Sequence, residues 1–242
     1  MRLDKFLSDA SAYSRKELRT MIRRGTVSVD GNTVKNPEFQ VSESSAVAIS
    51  GTLIRYRKFV YLMMNKPAGF ISATEDGNAP VVTELLPEEY RHFAVFPAGR
   101  LDKDTEGLLI LTNDGAFAHR VTSPRHLVWK RYRARLDLPA EAGDAAAFEK
   151  PMDLGDFTTA PGRLHICRDP YEVVVEISEG KFHQVKRMCE KQGKKVVYLK
   201  REAIGGVSLD PQLPSGAVRE LSTGELARIE SGELPPLDPD TE

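Results

Sequence analysis

The stretch GRLDKDTEGLLILTNDG, residues 99–115, carries the strongest structural signals in the chain. LLILT, residues 108–112, is a continuous apolar run of the length of a buried β-strand. The Asn-Asp-Gly sequence at 113–115 indicates a tight turn, in which Asp114 can cap a helix through AFAHRV. The polar residues 99–105 are therefore predicted to form a loop next to a buried strand, which is a common location for functional side chains.

Two carboxylates, Asp102 and Asp104, lie in this loop. Their spacing is compatible with an acid/base pair, a magnesium site or a pair of turn-forming residues, and the residues alone do not decide among these. The chain has no His/Cys cluster, P-loop lysine or GxGxxG motif. This argues against metal-dependent hydrolysis, nucleotide hydrolysis and dinucleotide redox chemistry.

The length and composition indicate a folded protein of one or two domains. The chain has 242 residues, of which 40% are hydrophobic and 29% charged. No apolar run approaches the ~18 residues of a membrane span, and the first residues carry acids where an export signal would be apolar. Cys167 and Cys189 are too few for a disulfide framework. We therefore expect a cytoplasmic protein with no membrane association.

The charge is distributed unevenly along the chain. Residues 1–60 have eleven Lys/Arg against six Asp/Glu, whereas residues 219–242 have two against seven. Residues 115–136 have six Lys/Arg and no acid, and residues 178–202 have eight Lys/Arg and three acids. Any one of these segments could be an ordinary solvated face, but three separate basic segments favour a nucleic-acid partner.

The first residues predict two helices and a hairpin. Leu3, Phe6 and Leu7 share one helical face, and Ser14 followed by Glu17 is a capping box that begins a second helix. A hairpin turn follows at Asp-Gly, residues 30–31. The second helix carries five basic residues, which are Arg15, Lys16, Arg19, Arg23 and Arg24.

These pieces, MRLDKFL, SRKELRTMIRRGTVSVDG and NTVKNP, resemble the small RNA-binding fold of ribosomal protein S-four. The resemblance implies an RNA-binding domain over residues 1–55 whose five basic side chains contact phosphates. The alternative is a basic helical hairpin that only packs on the rest of the chain. Residues 50–59 are interpreted as a linker.

Three motifs resemble, in order, those of the RsuA-type bacterial pseudouridine synthases. They are GRLDKDTEGLLILTNDG (99–115), RVTSPRHLVWKRYRARL (120–136) and ISEGKFHQVKRMCEKQGKKVVYLKREAIGGVSL (177–209). The resemblance implies a catalytic domain over residues 60–230 and an α+β fold, with a mixed, mainly antiparallel sheet flanked by helices. Residues 231–242 would be an acidic, disordered tail.

The resemblance also implies the site residues. Asp102 would be the nucleophile, Lys186 its ion-pair partner and Tyr132 the ring on which a flipped base stacks. Without the resemblance, Lys186 could equally contact a phosphate and Tyr132 could be a core aromatic. The further expected RNA contacts are Arg100, Arg131, Arg133, His183 and Arg187. For Arg100, the alternative is a structural ion pair with Asp104.

The expected reaction is isomerisation of a uridine to pseudouridine, which requires no cofactor, nucleotide or metal. The carboxylate could attack the ribose, remove the 2′ proton or add to the base, and the sequence does not choose among these. The small-subunit branch implies 16S rRNA, or a small-subunit assembly intermediate, as partner, with position 516 as the target. We expect the enzyme to be a monomer. The alternatives are a 23S rRNA uridine, a non-catalytic assembly factor, and a hydrolase using Asp102 and Asp104.

Overall fold

The chain divides into two units, each with its own β-sheet. The computed structural model describes residues 1–237. The first unit comprises Met1–Val60 and Leu86–Val95, and the second comprises Tyr61–Leu85 and the chain from Phe96 onward. Among residues 1–237, no helix is long and apolar enough to cross a bilayer.

The helices of the first unit are α1 (Leu3–Ala10) and α2 (Arg15–Arg24). The predicted capping box is confirmed, because the Ser14 hydroxyl accepts from the Glu17 amide and the Glu17 carboxylate accepts from the Ser14 amide. Gly25 ends α2 in the left-handed region, with φ +78°. The buried faces of both helices meet in one apolar core, with Leu3, Phe6, Leu7, Leu18 and Ile22.

A four-stranded antiparallel sheet completes this core, in the order β2-β1-β3-β4. The predicted hairpin at Asp30 and Gly31 is confirmed, with φ of +50° and +81°. The interpretation of residues 50–59 as a linker is wrong in part, because Ser50 and Gly51 also take positive φ and form a second two-residue turn. The strands are β1 (Val27–Val29), β2 (Asn32–Thr33), β3 (Val47–Ile49) and β4 (Thr52–Ile54), and the returning segment carries α3 (Glu88–Arg91).

The second unit is built on a nine-stranded sheet in the order β13-β5-β7-β11-β8-β10-β9, with β6 paired to β7 and β12 to β11. Among the strand pairs described, β7 with β11 is parallel and the rest are antiparallel. The predicted mixed, mainly antiparallel sheet is therefore confirmed. The strands are β5 (Tyr61–Lys66), β6 (Phe96–Pro97), β7 (Glu106–Thr112), β8 (Lys130–Leu136), β9 (Arg163–Ile166), β10 (Glu172–Ile177), β11 (Val196–Ile204), β12 (Val207–Ser208) and β13 (Val218–Glu220).

Helices flank this sheet. Asp114 caps the first of them as predicted, because its carboxylate accepts from the amides of Ala116 and Phe117 at 3.0 and 3.1 Å. Phe117 and Ile229 pack against the buried side chain of Ile110 and its neighbours. The helices are α4 (Gly115–Thr122), α5 (Ala142–Phe148), α6 (Gln184–Lys191) and α7 (Thr223–Ser231), with short 3-10 turns at Val82–Leu85 and Pro124–His126.

The segment after α7 contacts the sheet. The Arg131 guanidinium donates to the backbone carbonyl oxygens of Pro235 and Pro236 at 2.6 and 3.0 Å. This part of the tail that the sequence predicts to be disordered, residues 231–242, is thus held by a buried side chain. Residues 238–242 lie outside the described residues.

Candidate active site

The loop between β6 and β7 is organised by a buried lysine, Lys66, at the end of β5. Its ammonium donates hydrogen bonds to the backbone carbonyl oxygens of Thr105 (2.7 Å), Asp102 (3.0 Å) and Pro67 (3.1 Å). Burial lowers the pKa of Lys66 to about 8, against the opposing influence of Asp104 and Asp102. Because several carbonyls converge on one ammonium, the backbone of the loop that carries Asp102 is held in place.

Asp102 and Asp104 share one cation, Lys186 of α6. The Lys186 Nζ lies 3.1 Å from Asp102 Oδ2 and 2.6 Å from Asp104 Oδ1. Burial opposes the charged form of Lys186, but its hydrogen bonds to Asp104 and Asp102 outweigh this and raise its pKa. The hydrogen bond from Lys186 lowers the pKa of Asp104 despite partial burial. The Asp102 side chain is 25% exposed and that of Asp104 is 74% exposed, so Asp102 is the more enclosed of the two.

His183 stands next to Asp102 at the beginning of α6. Its backbone is left-handed, with φ +50°, and its Nε2 lies 3.5 Å from Asp102 Oδ1. The Phe182 ring stacks on the imidazole at a centroid distance of 3.8 Å and remains 72% exposed. An exposed aromatic surface therefore lies beside the carboxylate.

One wall of the site is formed by β8 and β11. Tyr132 is 7% exposed, and its hydroxyl accepts from Arg201 Nη1 at 3.4 Å. Arg201 Nε also donates to the Leu108 carbonyl at 2.7 Å. This close approach requires a glycine at 107, since a Cβ there would lie 2.2 Å from the Arg201 carbonyl oxygen and its φ is +100°. Gly107 thereby allows the parallel pairing that brings Arg201 behind the Tyr132 ring.

These elements enclose a pocket of about 110 Å³. Its lining includes five of the predicted site residues, which are Arg100, Asp102, Tyr132, His183 and Lys186. Arg100 is exposed at the rim, and the Asp104 carboxylate to which it could have paired is bound by Lys186. A carboxylate, a cation and an aromatic ring thus line one opening, an arrangement that can present a nucleophile or a base to a planar ligand.

The structure does not bring three other predicted RNA contacts into this pocket. Arg131 is buried, and its guanidinium is bound to Glu176 at 2.7 Å as well as to the C-terminal segment, so the prediction that it contacts RNA is wrong. Arg133 is paired with Glu202 at 2.7 Å. The Arg187 guanidinium is bound to Asp156. The carboxylates that bind these three arginines come from distant parts of the sequence. The local sequence pattern therefore does not reveal the ion pairs.

The basic residues of α2 belong to the first unit and are exposed. Arg19 is ion-paired with Asp4 at 3.0 Å. Within residues 1–237, the other four basic residues have no ion-pair partner. They form a basic surface, which consists of Arg15, Lys16, Arg23 and Arg24.

Sequence reasoning missed four residues of the pocket region. Lys66 ends an apolar strand, and nothing in its surroundings indicates that it binds the distant 102–105 loop. Lys130 could have been found, because it is two residues from Tyr132 on one strand and so shares its face. Thr105 and Arg201 also line the pocket, and their roles depend on the pairing of β7 with β11.

Comparison with known proteins identifies the family. The model for RNA pseudouridylate synthases matches residues 60–191, and the S4 domain model matches residues 1–47. A solved pseudouridylate synthase superposes with a TM-score of 0.67 at 36% identity, covering 95% of this chain and 99% of that one.

Full-length relatives agree with this match. An uncharacterized RNA pseudouridine synthase of Bacillus subtilis is 45% identical over 231 residues, covering 93% of this chain and 97% of the relative. The proteins named ribosomal small subunit pseudouridine synthase A of Vibrio cholerae and Escherichia coli are 42% and 40% identical, covering 95% of this chain and 99% and 100% of theirs. The chain therefore belongs to the RNA pseudouridylate synthase family and carries an N-terminal S4 domain.

Proposed function

We propose that the protein converts one uridine of 16S ribosomal RNA, expected at position 516, into pseudouridine in the cytoplasm. The observation that carries the proposal is the Asp102 carboxylate, held beside Lys186 in the pocket that Tyr132 also lines. A protein that only binds RNA has no need of a fixed carboxylate in a basic pocket, because phosphates repel it.

Asp102 is the proposed nucleophile. A carboxylate oxygen attacks C1′ of the ribose, the C1′–N1 bond breaks, and its electron pair leaves with the uracil. The base then turns, C5 attacks C1′, and the bond between C1′ and Asp102 breaks. C5 loses its proton and N1 gains one, so the composition of the RNA is unchanged. Removal of the ribose 2′ proton by Asp102 is the alternative that uses the same carboxylate.

The target nucleotide must leave its stack to reach this pocket. Extrusion costs a few kcal/mol. Stacking of the uracil on the Tyr132 ring offsets this by ~1–3 kcal/mol. Arg100 at the rim and His183 beside Asp102 are the proposed contacts to the neighbouring nucleotides.

The choice of RNA rests on the relatives and on the first unit. Two full-length relatives are named small-subunit pseudouridine synthases. The exposed basic surface of α2 provides unpaired cations for phosphates, which favours a large structured RNA. We therefore propose 16S rRNA, or a small-subunit assembly intermediate that contains it, as the substrate.

Tritium release tests the proposal. The protein is incubated with 16S and 23S transcripts labelled with tritium at C5 of uridine, because the C5 hydrogen reaches water only when C5 becomes bonded to the ribose. We expect release of about one tritium per 16S transcript and none from 23S. Tritium release from the 23S transcript alone would show that the substrate is 23S rRNA and not 16S rRNA. Tight binding with release from neither RNA, nor from small-subunit particles, would make the protein a non-catalytic binder and contradict the proposal.

A further inference from the structure

Three polar side chains that line the pocket lack partners. Arg201 Nη2 and Thr105 Oγ1 are buried and have no hydrogen-bond partner in residues 1–237. Lys130 is 7% exposed, and no hydrogen bond or ion pair to its ammonium is found in the same described range. Buried polar groups in proteins are nearly always hydrogen-bonded, and an unpaired one costs free energy. Two buried unpaired atoms beside an ammonium without a partner, all in one pocket, indicate that their partner is a ligand.

The protein fixes the direction of these donors. Two of the three Arg201 nitrogens are already used, Nε by the Leu108 carbonyl and Nη1 by the Tyr132 hydroxyl, which leaves Nη2 available. Lys130 shares the face of Tyr132 on β8, and its cross-strand neighbours Ile177 and Ile204 also line the pocket. Lys130 thus has apolar cross-strand neighbours and the Arg201 cation nearby, and its ammonium has no counter-ion within residues 1–237.

Glu179, the acid that acts electrostatically on Lys130, is bound to other groups. Glu179 Oε1 accepts from the Ala160 amide and from Gln184 Nε2, each at 2.8 Å, and its Oε2 lies 3.4 Å from Lys181 Nζ. Burial and the charge of Arg201 together lower the pKa of Lys130 to about 8, against the opposing influence of Glu179. The fold therefore keeps a cation in an unfavourable place.

We propose that Lys130 and Arg201, together with the Thr105 hydroxyl, form the subsite that binds the oxygen atoms of the target uracil. This inference rests on the proposed function and deepens it. Uracil offers two carbonyl oxygens as acceptors, and the two cations are donors only. Cytosine carries an amino group in place of one oxygen, so donors would face a donor and remain unpaired, which rejects it strongly.

The same cations act on the chemical step. When the C1′–N1 bond breaks, the electron pair leaves with the base, and the negative charge spreads over N1 and both oxygens. Fixed cations in a pocket with little water stabilise such developing charge without reorganisation. Lys130 and Arg201 therefore assist departure of the uracil as well as its recognition.

Substitution of Lys130 tests the inference. Arg201 is less suitable, because its side chain also donates a hydrogen bond to the backbone carbonyl of Leu108. In single-turnover reactions with the RNA that wild type modifies, Lys130→Met is expected to lower the rate by ~10²–10³-fold, and the RNA Kd should change by no more than a few-fold. Lys130→Arg, which keeps the charge, should retain a larger part of the rate. The matched control is Lys200→Met on β11, which lies at the cavity on the opposite face of the sheet and should have the wild-type rate.

Sulfur-substituted RNA identifies the contact. In 2-thiouridine and 4-thiouridine, sulfur replaces one of the two uracil oxygens and is a weaker hydrogen-bond acceptor. The wild-type rate should fall when sulfur replaces the oxygen that Lys130 binds. In Lys130→Met the same sulfur should cause no further loss. If near-UV circular dichroism shows that Lys130→Met is unfolded, Lys130→Gln replaces it.

The outcomes separate the two proposals. Wild-type protein that modifies no RNA would overturn the proposed function and this inference with it. Active wild type with a Lys130→Met rate within a few-fold of its own would overturn this inference alone. The inference would also be overturned if, at both sulfur positions, the loss from sulfur and the loss from Lys130→Met multiplied. Independent effects of this kind would place Lys130 away from the uracil oxygens.

Discussion

Both faces of β8 carry basic side chains, but the two faces differ in how these charges are paired. On the pocket face, Lys130 and Tyr132 lie without an acidic partner among the described residues. On the other face, every arginine is matched by a carboxylate at 2.7–3.2 Å. These pairs are Arg131 with Glu176, Arg133 with Glu202, and Arg135 with Glu172.

In the sequence, KRYRARL reads as one basic strand suited to phosphates. The two-residue periodicity of a strand divides it into a structural face and a ligand face. Positive charge that the fold neutralises holds the sheet together, and positive charge that it leaves unmatched marks where a ligand binds. The density of basic residues alone does not distinguish the two.

The largest effect on stability is expected at Arg131. Arg131→Met leaves Glu176, which is 2% exposed, with Arg163 at 3.1 Å and His165 at 3.8 Å as its remaining basic partners in the described part of the chain. Chemical denaturation should show a loss of about 3–5 kcal/mol, because an incompletely paired charge remains buried. The control Arg135→Met breaks an exposed pair and should cost at most ~1 kcal/mol. Unchanged stability with weaker RNA binding would return Arg131 to the RNA contacts.

Substitutions of Tyr132 should change the rate of pseudouridine formation. Tyr132→Ala removes the proposed stacking of ~1–3 kcal/mol, so the rate of pseudouridine formation should fall by ~10–100-fold. Tyr132→Phe keeps the ring and loses only the 3.4 Å contact to Arg201, so it should stay near wild type. Equal losses in the two variants would show that the hydroxyl, and not the ring, is what matters.

Lys130 should show the opposite sign of stability change from Arg131. Lys130→Met removes a buried cation that has no counter-ion in residues 1–237, and it is expected to stabilise the fold at pH 7 by about 1–3 kcal/mol. The folded pKa of about 8 lies below the unfolded value near ~10.4, so the unfolded state binds more protons between them and stability rises with pH from about 8 to 10.

Arg201 and Glu179 are the charged groups that act on Lys130, and Lys66, with its own pKa of about 8, contributes a similar slope. Denaturation curves between pH 8 and 10 should therefore show a smaller slope in Lys130→Met than in wild type. Identical slopes would contradict the assignment of Lys130 as an uncompensated buried cation.

Local signals predicted the secondary structure well. The Ser14 capping box, the turn at Asp30, the Asp114 cap and the strand at 108–112 are confirmed, because each depends on residues close in sequence. The second hairpin of the first unit was missed, since its turn is Ser-Gly rather than Asn-Gly or Asp-Gly.

The site was predictable only in part, and for a physical reason. The resemblance picked out Asp102, Tyr132 and Lys186, and all three line one pocket. Glu176, the partner of Arg131, and the Asp102 and Thr105 carbonyls bound by Lys66 come from segments more than 30 residues away, so these contacts depend on strand order and register. Sequence patterns indicate which residues are charged, and only the folded sheet determines which charges are neutralised.

The most direct test of the role of Asp102 compares two substitutions in one loop. Asp102→Asn and Asp104→Asn make the same chemical change next to the same Lys186 ammonium. In tritium-release assays, Asp102→Asn is expected to lower pseudouridine formation by at least ~10⁴-fold with unchanged RNA affinity, while Asp104→Asn retains most of the activity. An Asp102→Asn rate within about tenfold of wild type, or equal losses in both variants, would contradict the assignment of Asp102 as the reacting carboxylate.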